Sequence, residues 1–159
     1  MLNYTTYVAQ ISNLLQYTST DSNFTTMLPG MIDYSEQRIY RELDLVYTNV
    51  TDASATFTAN QRTLNLPTAQ GVFIVVDEVN AITPAGTGSS VGERHPLTPV
   101  ALPWINAVYP SAGAYTDIPA FFARQSDTVI TLGPSPDAAY YAEVIGTIRP
   151  TPLSTSNSS

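Results

Sequence analysis

Apolar positions in the first 45 residues recur at helical spacing, and from Val46 onward they recur at strand spacing. Tyr4, Val8, Ile11 and Leu15 form one stripe behind Asn3, whose side chain suits a helix N-cap. A Thr/Ser-rich link follows, Tyr17 to Thr20, and Asp21 stands ready to cap the next helix. Pro29-Gly30 predicts an interruption there, either a kink or a fresh start with Pro29 near the first helical position. Met31, Ile32, Ser35, Ile39 and Leu43 carry the period to about Leu45, with Arg38 and Glu42 one turn apart on the polar side.

The strand-spaced part predicts strands at 46–51, 55–58, 62–66 and 72–80, with Ala59-Asn60-Gln61 as a hairpin turn. Val72 to Val76 is the most apolar run, which places it at the centre of a sheet. Thr83 to Glu93 is rich in Gly, Ser and Thr and reads as a mobile loop. Another short strand spans 97–100, and a helical turn or two over 103–108 carries the only tryptophan, Trp104. Residues 118–154 then read as a β-meander of three strands. They are Phe121–Arg124, Thr128–Leu132 and Tyr140–Ile148, with Tyr141, Glu143, Ile145 and Thr147 sharing one face of the last. Pro150 and Pro152 stop it, and the Ser-rich tail 154–159 reads as disordered or borrowed by a neighbour. The fold class expected is α+β: an N-terminal helical hairpin (1–45), an antiparallel β-sandwich or β-meander domain (46–153) and a flexible tail (154–159).

Length and composition narrow the function. The chain has 159 residues, enough for one domain with a real core. It has no cysteine, so no disulfide or thiolate metal site exists. No apolar run is long enough to span a membrane, and the N-terminus lacks the basic start and apolar core of a signal peptide. Charged residues make up 12% of the chain, about half of the roughly 25% that is usual. Lysine is absent, all six basic residues are arginine, and there are ten tyrosines. Protein interfaces favour arginine and tyrosine and deplete lysine and glutamate, so this surface suits a subunit of an assembly. The net charge of −7 and the scattered arginines argue against nucleic-acid binding through the overall field.

Candidate chemistry is sparse. His95 is the only histidine, in Glu93-Arg94-His95-Pro96, and a lone histidine without a second ligand nearby reads as a surface or interface residue. Asp77-Glu78 is the one adjacent acid pair, and strand alternation predicts opposite faces for it rather than a shared metal or catalytic site. Gly86-Thr87-Gly88 lacks the lysine and following helix of a phosphate loop. No nucleophile elbow is present. These readings predict no enzyme, no cofactor and no metal. The residues expected at a contact with another subunit or assembly partner are Arg38, Arg41, Glu42, Arg94, His95, Trp104 and Arg149.

Two segments resemble one known family. They are the helix LPGMIDYSEQRIYRELDL (28–45) and the run GPSPDAAYYAEVIGTIRPTPLS (133–154). In this order and separation, with Asn65-Leu66-Pro67 and Pro96–Val100 between them, they resemble the head–tail adaptor (connector) proteins of tailed bacteriophages. That resemblance implies a structural protein of the virion, assembled in the host cytoplasm as a dodecameric ring. It implies contact with the portal protein and with the next tail component, nozzle or tail tube. The ring would enclose a channel through which genomic DNA passes without specific binding. Members of that family usually continue past such a segment into further helix. Portal contact is therefore expected here from the N-terminal helices and the 154–159 tail. The alternative from the residues alone is a β-rich tail-fibre or carbohydrate-binding module, with Trp104 and the tyrosines stacking on sugars.

Overall fold

A computed structural model describes residues 3–43 and 48–157. The chain divides into two compact units, one formed by Met1–Val46 with Pro150–Ser159 and the other by Tyr47–Arg149. The architecture is α+β, with three helices among the described residues and sheets that are mainly antiparallel.

The first unit holds α1 (Tyr4–Leu15) and α2 (Ser22–Glu42). Asn3 caps α1 reciprocally: its Oδ1 accepts the Thr6 N–H at 2.9 Å, and Thr6 Oγ1 accepts the Asn3 N–H at 2.9 Å. Asp21 caps α2 by accepting the N–H groups of Asn23 and Phe24. Of the two outcomes predicted at Pro29, a fresh helix start is absent, because α2 continues through the proline as one element. A proline inside a helix costs about 3 kcal/mol, and the cap together with burial of Leu28 and Ile32 on either side offsets that cost. Leu15 is the end of the predicted α1 stripe, yet it is half exposed, and Ser12 is the residue buried there. The segment 151–157 is tied to itself, with Asn157 Nδ2 donating to Thr151 O at 2.6 Å.

The second unit holds β1 to β10 and α3. One four-stranded sheet has the order β1 (Asn49–Thr56), β10 (Tyr141–Pro150), β3 (Gly71–Thr83), β4 (Glu93–Pro96). The other has the order β2 (Thr63–Asn65), β8 (Val129–Gly133), β7 (Phe121–Arg124), β5 (Thr98–Pro99). A small parallel pair joins β6 (Thr116–Asp117) to β9 (Ser135–Pro136), and α3 spans Leu102–Val108. Phe73, Val79, Ala142, Val144 and Ile148 from the first sheet meet Leu64, Phe122, Ile130 and Leu132 from the second in one core.

Four strand expectations need correction. The predicted strands 46–51 and 55–58 are one strand, β1, whose register slips between Asp52 and Ala55; Val46 and Tyr47 lie outside the described residues. Asp52 causes the slip by folding back to accept the Ser54 N–H at 2.8 Å. Residues 59–61 do turn, with Asn60 at φ 61, but β1 pairs with β10 and β2 with β8, so the turn carries the chain from one sheet to the other. The three-strand meander also fails. β7 and β8 form a hairpin, and then Gly133-Pro134-Ser135-Pro136 breaks the ladder and β10 crosses into the other sheet. Finally, β3 is an interior strand as expected, but Val72, Ile74 and Val75 stand exposed.

Candidate functional site

The residues expected at an assembly contact divide between the two units. On α2, the Arg38 guanidinium donates to Glu42 Oε1 at 2.8 Å, an exposed i,i+4 pair. Arg41 is exposed, directly before Glu42 in the chain, and takes no partner among the described residues. A different acid on this helix does structural work. Glu36 accepts the backbone N–H of Leu153 on both carboxylate oxygens, at 3.2 and 3.3 Å, and so holds the C-terminal segment to the helices. A groove of about 220 Å³ opens beside it, walled by Tyr7, Ile32, Ile39 and Leu153.

In the β unit, Arg94 on β4 reaches Glu143 on β10. Its Nε lies 3.0 Å from both carboxylate oxygens, and its Nη2 lies 2.8 Å from Oε2. Glu143 is buried while Arg94 is half exposed, so the arginine serves as the lid that lets a carboxylate sit inside the sheet. The hydrogen bond and charge of Glu143 raise the pKa of the Arg94 guanidinium further. His95 is exposed on the same strand opposite Ala81. Trp104 on α3 is 41% exposed and stands edge-on to Phe121, with ring centroids 4.9 Å apart. Tyr109 and Tyr115 extend this aromatic group. Arg149 on β10 is exposed and borders a groove of about 300 Å³ with Val72, Phe73, Ile74, Arg124 and Asp127. No hydrogen bond or ion pair among the described residues joins Arg94, His95, Trp104 and Arg149 to one another.

Arg124 was not singled out by sequence, yet it clamps the two sheets of the β unit. Nη1 donates to Ile74 O at 2.7 Å, Nη2 donates to Phe73 O and to Asp127 O at 2.9 Å, and Nε donates to Ser126 O at 3.2 Å. A regular strand points consecutive carbonyls to opposite edges, so taking those of both Phe73 and Ile74 breaks the regularity of β3. The break brings Ile74 and Val75 both to the surface. A lone arginine after Phe-Phe-Ala on a short strand was the only trace of this role in the sequence.

No group of three His, Asp or Glu suited to a metal occurs among the described residues. Among the described residues, no helix is long and apolar enough to cross a membrane. The exposed arginines, aromatics and paired acids are groups that bind other proteins. A family model, that of the SU10 adaptor protein, matches residues 2–159. The chain belongs to that family. It is therefore a member of a phage head–tail adaptor family, a structural component of the virion that meets other head or tail proteins. Membership implies a non-enzymatic role. No curated protein is similar enough to match the chain.

Proposed function

We propose that this adaptor forms a ring, dodecameric in the full particle, between the portal and the next tail component, nozzle or tail tube. The observation that carries the reading is the family match along nearly the whole chain. The helical unit supports it. Leu28 and Ile32 are its only fully buried large apolar side chains among the described residues, while Leu14, Tyr17, Met27, Met31, Tyr34 and Leu43 are exposed. Such a unit gains more from neighbours than it can bury alone. In this reading α1 and α2 make a helical hairpin and the two four-stranded sheets make a β-sandwich. The ring encloses the DNA channel, and copies at −7 each give it acidic walls that repel the phosphate backbone. Assembly takes place in the host cytoplasm.

Co-expression with the cognate portal tests this. A ring that co-purifies with portal, seen by electron microscopy, and that leaves DNA unbound at physiological salt is the expected result. A monomer or trimer that ignores portal and binds glycans would overturn it in favour of a tail-fibre module.

A further inference from the structure

We propose that adaptor copies join head to tail, with the outer face of α2 from one copy laid along the exposed half of β3 in the next. This contact rests on the ring reading above and names the two surfaces that would build it.

The α2 face is defined by spacing. Met27, Met31, Tyr34, Arg38 and Arg41 follow one another at steps of four, three, four and three, the seam spacing of a helix that packs against a partner. Met27, Met31 and Tyr34 are 59%, 55% and 66% exposed, so nothing among the described residues covers them. The seam is apolar in its first half and carries two arginines in its second, Arg38 paired to Glu42 within the helix and Arg41 without a partner among the described residues.

β3 shows the same order with the opposite sign. Val72, Ile74 and Val75 are 36%, 58% and 48% exposed, and after the half-buried Val76 come Asp77 and Glu78, both exposed rather than divided between faces as strict alternation predicts. The Arg124 clamp on Phe73 and Ile74 is what turns two consecutive apolar residues outward here. At a rise of about 1.5 Å per helical residue, the centre of the α2 apolar group lies about 13 Å from the centre of its two arginines. At about 3.3 Å per strand residue, the β3 apolar group lies about 13 Å from its two acids. The two surfaces therefore match in pattern, sign and length.

Charge also sets the direction. Arg149 borders the groove beside Val72, at the end of the strip away from the acids, together with Asp127 and with Arg124, whose guanidinium is engaged by backbone carbonyls. If α2 runs parallel to β3, Arg41 meets Asp77 and Glu78, and the flexible Met27 side chain reaches the groove. An antiparallel run would set Arg38 and Arg41 against Arg149. Because the two surfaces differ, the contact is heterologous, and it propagates from copy to copy, as the ring reading requires, instead of stopping at a dimer.

The chain has no cysteine, so engineered disulfides report only the chosen pair. Tyr34→Cys and Val75→Cys are made separately and together, and assembled with portal. Mixing the two single variants is expected to give a disulfide-linked dimer, and the double variant a ladder of multimers. Dimers from Tyr34→Cys alone would mean α2 pairs with α2, and would overturn the proposal. An assembly that forms without either cross-link would overturn the pairing but leave the ring intact. A chain that stays monomeric with portal present would overturn both. A charge swap guards against a cysteine variant that misfolds. Arg41→Glu is expected to raise the concentration for half-assembly about tenfold, which corresponds to the loss of one close charge pair. Asp77→Arg in the same chain is expected to restore it. Failure of that rescue in a folded double variant would count against the contact.

Discussion

Tyr140 is held at the edge of the β core by its hydroxyl, which donates to Asp137 Oδ1 at 2.7 Å. That bond, with burial and the charges of Asp137 and Asp117, pushes its pKa up to about 12 from an ordinary value of 10.0. The folded value lies above the unfolded one, so the neutral phenol stabilises the fold fully below pH 10. That contribution is lost as the pH rises towards 12. Denaturation midpoints of the wild type and Tyr140→Phe should differ at pH 8 and converge above pH 12; a difference that persists there would rule out the bond as its source. Local chemistry of this kind was partly legible. Asn3 and Asp21 were read as caps because a cap needs only residues within a turn, and Arg38–Glu42 was read for the same reason. Arg94–Glu143 was not, because its partners lie 49 residues apart and meet only through strand order. Glu143 reads as one more polar residue on an alternating strand until β4 supplies the cation.

At the scale of elements, α2 sets a good cap against an internal proline. Asp21→Ala should lower stability by about 1 kcal/mol through loss of the two capping bonds. Pro29→Ala should raise it, by up to about 3 kcal/mol if the helix keeps its course. Chemical denaturation followed by circular dichroism reads both, and equal signs would contradict this account of the helix. Periodicity found α1, α2, α3 and most strands, since amphipathic spacing is a property of each segment alone. It missed where strands go. A glycine at 146 shows why: a Cβ there would lie 2.2 Å from Val75 O, so β10 fits beside the irregular part of β3 only with no side chain at that point. The sequence shows the glycine but not the strand that presses on it.

For the whole molecule, the contrast between the two units matters most. The β unit has a continuous core of fourteen buried residues, whereas the helices fully bury little beyond Leu28 and Ile32. Amide exchange in the isolated chain should therefore be faster in α1 and α2 than in β3, β8 and β10, and should slow markedly in the helices on assembly. Helices protected to the same degree before and after assembly would show that no neighbour covers them. Sheet order has a further consequence, for synthesis. β10 lies between β1 and β3, yet it is made last of the three. While the ribosome works, β1 and β3 lack the strand that separates and satisfies them, and their edges are open to wrong partners. The sheet closes only when residues 141–150 emerge. The nascent chain thus cannot offer a finished β3 surface to a neighbour, and the order of its strands delays association until β10 has emerged from the ribosome.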